Sequence, residues 1–197
     1  MTQDDARESK QIEIFGLEKK SKNNRGSKYL PDATITVDGR VYTIELKTGY
    51  KTSFSTARGM SRDKIDSWKR ENDFYIFSQY EKTKAGFEFK RHIACTNDHL
   101  EFFFDHVIGK VNVNGHAGKV GLDEYTSFVK PLLQNALSKD FLDRVDKTIK
   151  VGTEYNDPKI NIQKIVDHGG LDFDLDKCIK VQLKNYIKTT LDKQANI

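Results

Sequence analysis

The sequence predicts a mixed α/β fold, a sheet flanked by helices, and three observations predict it. Two β-branched runs, ATITV (33–37) and VYTIEL (41–46), are joined by Asp38-Gly39, a dipeptide that favours a tight hairpin. A continuous apolar run, FYIFSQY (74–80), has the composition of a strand buried on both faces. Amphipathic helical patterns precede, separate and follow these strands.

The elements follow in order. Residues 4–20 read as a helix with Ile12, Ile14, Phe15 and Leu17 as its apolar set. SKNNRGSKYLP (21–31) is a loop by its Asn, Gly and Ser content. The hairpin comes next, then a polar loop over 48–59 and a helix over 60–71 that ends before Asn72-Asp73. FYIFSQY pairs with the alternating GFEFKRHIA (86–94), and NDHLEFFFDHV is helical with Asn97 as its cap. A long amphipathic pattern covers 122–149 and breaks near Pro131. PKINIQKIVDHGG reads as a helix with Pro158 at its first position and glycines at its end. Residues 174–194 form a last amphipathic helix.

At 197 residues the chain can bury a real core as one domain. We expect that core over about 28–170, a helical insertion at about 120–150 and a C-terminal helix at about 174–195. Cys95 and Cys178 are too few for a disulfide framework or a thiolate metal cage. No apolar run approaches the roughly 18 residues that span a bilayer. MTQDDARESK has no apolar stretch of the kind a secretory signal carries, so the expected setting is cytoplasmic.

The net charge of +4 permits a polyanionic partner without demanding one, so the distribution of charge matters more. Between Glu45 and Asp63 the chain carries Lys47, Lys51, Arg58 and Arg62 with no acid among them, and Tyr50 and Phe54 are interleaved. That stretch suits a nucleic acid backbone, or is simply a solvated loop.

Directly before it lies a distinctive set. In a strand, residues two apart share a face, so Glu45 and Lys47 project together while Leu46 enters the core. A partner strand beginning at Pro31-Asp32 can bring Asp32 beside them. Two carboxylates and an ammonium suit metal-assisted phosphodiester hydrolysis, because hard oxygen ligands bind Mg²⁺ and the lysine can hold phosphate or water. An acid two residues before a lysine occurs five times in the chain, so spacing alone does not single out one. Glu88 and Lys90 with Asp73 upstream form a second strand-borne set, and a surface hairpin with charge pairs across it is the structural alternative.

From residue 31 onward the chain resembles the PD-(D/E)xK nucleases, and more narrowly the PvuII-type restriction endonucleases. IELKTG is followed by SFSTARGM (53–60), similar to the family's Phe-Ser-Thr segment and the methionine after it. NDFYIFSQY resembles the aromatic core strand, DHLEFFFDH (98–106) the Asp-Leu-Glu-Phe segment, and YNDPKINIQKIVDHG (155–169) the Asn-Asn-Pro-Lys helix start with its His-Gly end. The resemblance implies a prokaryotic, Mg²⁺-dependent type II restriction enzyme. It would cut double-stranded DNA as a homodimer at a short palindromic site and have a cognate DNA methyltransferase in the host. It makes Asp32 and Glu45 metal ligands and Lys47 the catalytic lysine. It sets Ser55, Thr56, Arg58, Asn156, Asp157 and Lys159 against the DNA, together with Lys51 and Arg62. A junction resolvase and a non-catalytic DNA-binding module are the alternatives.

The departures bear on specificity. The family's base-reading histidine run is replaced by Ala57, Arg58 and Gly59, and its Asn-Asn pair by Asn156-Asp157. Arg suits guanine, Asn adenine and Asp the cytosine amino group, so the expected target differs. A family tyrosine near the active site has Trp68 or Lys69 closest to it, and the shorter N-terminal arm leaves the dimer contact to other segments.

Other features carry simpler readings. His99 and His106 lack a third ligand nearby, and His168 caps a helix end. Asp172, Asp174 and Asp176 do not make a calcium loop, since Lys177 and Leu183 stand where glycine and glutamate are needed, and they read as a helix N-terminus. Arg58→Ala should cost about 1–3 kcal/mol of discrimination at one base pair. Cleavage of substrates varied one pair at a time measures this, and an unchanged profile would remove Arg58 from base reading.

Overall fold

The computed structural model describes residues 3–20, 30–56, 62–108 and 159–195. The chain divides into two compact units, Met1–Phe54 with Trp68–Leu100 and Asn161–Ile197, and Ser55–Ser67 with Glu101–Ile160. The architecture is α/β. A mixed six-stranded sheet is formed by β1 (Glu18–Lys19), β2 (Ala33–Val37), β3 (Arg40–Gly49), β5 (Phe74–Thr83), β6 (Gly86–Cys95) and β8 (Leu171–Asp172), in the order β1-β2-β3-β5-β6-β8. A separate two-stranded sheet is formed by β4 (Ser53–Ser55) and β7 (Lys159–Asn161). The helices are α1 (Gln3–Phe15), α2 (Arg62–Glu71), α3 (Glu101–Ile108), α4 (Ile162–Asp167) and α5 (Ile179–Ala195), with a 3₁₀ turn at Asp98–Leu100.

The β2–β3 hairpin forms where the sequence places it. Asp38 and Gly39 take φ of 50° and 80°, the pair of left-handed residues that a type I′ turn requires. The register runs from Val37↔Arg40 to Ala33↔Ile44. After α2 the chain returns as β5, parallel to β3 from Ile44↔Phe74 to Gly49↔Gln79. β6 then folds back antiparallel on β5, with a register shift between Gln79 and Tyr80.

Alternation along β3 separates two environments. Tyr42, Ile44 and Leu46 enter a core built with Ile35, Val37 and Ile76 from the sheet, Phe15 from α1, and Leu183 and Ile187 from α5. On the β5 residues of opposite parity, Tyr75 meets Trp68 with ring centroids 5.8 Å apart and Phe77 meets Phe54 at 5.7 Å. In the second unit α3 buries Phe103, Phe104 and Val107. Among the described residues no helix is long and apolar enough to cross a membrane.

Several expected boundaries are corrected. The first helix stops at Phe15, where Gly16 takes φ of 65°, and Glu18–Lys19 joins the sheet instead. The loop expected over 48–59 contains the end of β3, because β5 offers Thr48 and Gly49 ladder partners, and then β4. Phe54, interleaved among the cations, is fully buried on Phe77. Lys159–Asn161 is a strand, and Asn161 caps α4 by accepting from the Gln163 N–H, so that helix begins at Ile162; Pro158 itself lies outside the described residues. Asp172 lies in β8. Asp174 accepts from the Asp176 N–H and holds a turn before α5, which delays that helix to Ile179. The Asn97 side chain accepts from Tyr75 Oη and donates to Lys69 O, so it ties neighbouring elements together. The helical pattern over 122–149, including the 120–150 insertion, lies outside the described residues.

Gly49 sits where a Cβ would come within 2.8 Å of the Phe54 ring, which is itself fully buried and has nowhere to retreat. Gly49→Ala should therefore lower unfolding free energy by about 1–3 kcal/mol. Urea denaturation reads it, and a midpoint equal to wild type would contradict the packing described.

Candidate active site

The expected set converges. The antiparallel register that pairs Ala33 with Ile44 continues outward to Asp32, whose N–H donates to Ile44 O at 3.1 Å, so Asp32 stands across from Glu45. β2 begins only at Ala33, and β3 runs on beyond it. The Leu46 N–H accordingly finds no strand carbonyl and donates to Asp32 Oδ2 at 3.0 Å. That bond fixes the aspartate carboxylate at the margin of the ladder.

Two residues along, Lys47 Nζ donates to Glu45 Oε1. The two side chains are 19% and 10% exposed, so this pair is mostly withdrawn from water. The ammonium also lies 5.1 Å from the centre of the Trp68 ring, within the range of a cation–π contact. Trp68 thus reaches the lysine directly.

Burial opposes a charge on Lys47. The carboxylates of Glu45 and Asp32, the hydrogen bond from Glu45 and the more distant Glu8 together outweigh it, and the lysine pKa is held above its ordinary 10.5. Lys47 is therefore an ammonium at neutral pH and serves as a donor, not as a base.

Sequence reasoning missed two residues of α1. Glu8 contributes to the field at Lys47 and accepts a salt bridge from Lys19 Nζ at 3.2 Å. Gln11, fully buried, donates to Lys47 O at 3.3 Å and to Ser78 Oγ at 2.7 Å. The available signal was helical spacing. Glu8, Gln11 and Phe15 recur at intervals of three and four, so two polar residues lie along the stripe that ends in the core.

The rival set does not converge. Asp73 accepts from the N–H and the hydroxyl of Thr43, both at 2.8 Å, at the start of β5. Glu88 lies opposite Glu81 at the other end of that strand. The eight residues from Asp73 to Glu81 span about 26 Å of strand. Glu88 and Lys90 pair with each other on the exposed face.

Among the residues expected to meet DNA, Lys51 is exposed beyond the end of β3, Ser55 is exposed in β4, Lys159 is exposed in β7, and Thr56 is 6% exposed. Arg62 opens α2. Arg58, Asn156 and Asp157 lie outside the described residues. His99 accepts from Thr96 N–H at 3.2 Å with Tyr186 Oη also 3.2 Å away, and His168 closes α4, both in structural roles.

As a donor set, Asp32 and Glu45 offer hard oxygens. Among the described residues no three His, Cys, Asp or Glu side chains converge as a complete cage. Hard carboxylate oxygens of this kind are the ligand type that Mg²⁺ takes, one or two at a time, with water completing its shell. No family model and no curated protein matches the chain.

A group whose folded pKa is raised stabilises the fold below its unfolded pKa, and loses that contribution as pH climbs through the folded value. Stability from Lys47 should therefore be intact at neutral pH and fall above pH 10.5. Urea titrations of wild type and Lys47→Met between neutral and alkaline pH test this. The variant should fall less steeply at the alkaline end, and identical slopes would show that the charge is not held as described.

Proposed function

We propose that the chain is a Mg²⁺-dependent, sequence-specific endodeoxyribonuclease of the type II restriction class, a homodimer cutting short palindromic sites in double-stranded DNA. Two-fold protein symmetry would then match two-fold DNA symmetry. The observation that carries this reading is the convergence of Asp32, Glu45 and Lys47 at the place where β2 starts beside β3. The β2–β3 hairpin, the crossover through α2 and the parallel return of β5 support a restriction-endonuclease-like, PD-(D/E)xK core.

Local charge supports a divalent cation as well: the carboxylates of Asp32, Glu45 and Glu8 all bear on Lys47, and acidic oxygens set beside a DNA phosphate call for a cation between them. Asp32 and Glu45 would hold Mg²⁺, which when bound stabilises charge on the phosphoryl oxygens and lowers the pKa of a coordinated water. Lys47, kept protonated by its neighbours, donates to a phosphate oxygen or orients the attacking water. Trp68 limits where the ammonium can swing. Lys51, one turn of loop beyond β3 and exposed, is placed to meet the backbone without reading sequence.

Incubation with plasmid and genomic DNA in Mg²⁺ should give discrete fragments. Glu45→Ala and Lys47→Ala should each lower cleavage by about 10²-fold or more while duplex binding persists. Full activity in either variant would unseat the site. No cutting of several sequence-diverse genomes would sink the reading, cleavage confined to branched substrates would favour a junction resolvase, and binding without hydrolysis a non-catalytic module.

A further inference from the structure

Gln11, Ser78 and His92 form a polar chain inside an apolar core, at 0%, 0% and 2% exposure. Gln11 Nε2 donates to Ser78 Oγ at 2.7 Å, and Ser78 Oγ lies 2.7 Å from His92 Nδ1. Burial holds the His92 imidazole down to about 4, so it is neutral at physiological pH. Ser78 Oγ thus joins the amide to the imidazole, accepting from Gln11 and sharing one hydrogen with Nδ1.

Such a chain is costly where aliphatic side chains would pack without desolvation. It is also incomplete, because Gln11 Oε1 is buried with no hydrogen-bond partner. The glutamine is thus held for its two donor contacts at the expense of its acceptor. The second donor contact ends on the main-chain carbonyl of Lys47 at 3.3 Å. One helical turn before Gln11, on the same side of α1, stands Glu8, the carboxylate that reaches the Lys47 field. β3, β5 and β6 are already tied by their ladders, and among the hydrogen bonds described, those from Gln11 to Lys47 and Ser78 are what tie α1 to them.

We propose that Gln11 is a positioning residue for the nuclease site: its amide, anchored by Ser78 and His92, hooks α1 to the main chain of Lys47 and fixes that helix, with Glu8 on it, against the strand that carries Glu45 and Lys47. The inference rests on the nuclease reading for its consequence and on the buried polar chain for its mechanism. Gln11→Met keeps the volume and removes both donors, so the fold should survive with melting temperature equal or higher. Turnover should fall about 10- to 100-fold with KM for DNA unchanged, as expected when a reacting group is displaced. Glu8→Gln should cost less in the Gln11→Met background than in wild type. Mn²⁺ affinity, measured by calorimetry without DNA, should weaken in Gln11→Met.

Ser78→Ala, which removes the shorter of the two Gln11 contacts, supplies the same comparison should Gln11→Met fail to fold, and should show a smaller loss of the same kind. A variant that cuts as fast as wild type, or a lowered melting temperature with unaltered turnover, overturns the positioning role and leaves the nuclease reading intact. A wild type inert on DNA whose Mn²⁺ binding nonetheless weakens in the variant sinks the nuclease reading and keeps the positioning role. A wild type that neither cuts nor binds Mn²⁺ overturns both.

Discussion

The candidate site depends on the register of β3. This strand is paired antiparallel to β2 on one side and parallel to β5 on the other, and both neighbours start partway along it. Each start is finished by an aspartate. Asp32, just before β2, accepts from Leu46 N–H, and Asp73, just before β5, accepts from Thr43 N–H. Both carboxylates satisfy a main-chain donor at a ladder margin. A slip of one residue would send Ile44 and Leu46 out of the core and turn Glu45 and Lys47 into it. The apolar pattern that stabilises the sheet is thus the same one that fixes where the acids and the lysine point.

Charge at this place is kept despite burial. Glu45 is 7% exposed, a position where an unpaired carboxylate would give up its charge. Lys47 supplies the pair, and Asp32 and Glu8 add negative potential that holds the ammonium charged. Buried ion pairs are poor sources of stability because desolvation offsets most of the attraction.

Local features were legible in the sequence, and those set by tertiary placement were not. The Asp38-Gly39 turn depends on two residues and formed as read. The alternation that sends Leu46 inward and Glu45 with Lys47 to the other face depends on strand geometry alone, and it too is visible in the sequence. Glu8 and Gln11 were not, since their meaning depends on which strand α1 lies against. Phe54 shows the same limit: the sequence shows it only as an aromatic interleaved among cations, and the fold reveals Phe77 beneath it. Asp174 and Asn161 were missed for a different reason. Short polar side chains there compete with helix for the main-chain donors and shift the helix start by several residues.

The two Asp…Glu-x-Lys sets on this chain separate motif from site. They share residue types, strand placement and nearly the same spacing, 13 against 15 residues from acid to acid. In one, a hairpin turns between the aspartate and the glutamate, so the chain reverses and brings Asp32 back to Glu45. In the other, the aspartate begins a long strand whose hairpin lies at its far end, next to Glu88, so the same spacing drives the acids apart. The length of strand between aspartate and turn therefore decides the chemistry: β2 is five residues long and ends beside its partner, whereas β5 is ten residues long and carries its acid away. Spacing in sequence encodes a site only through the turn that folds it.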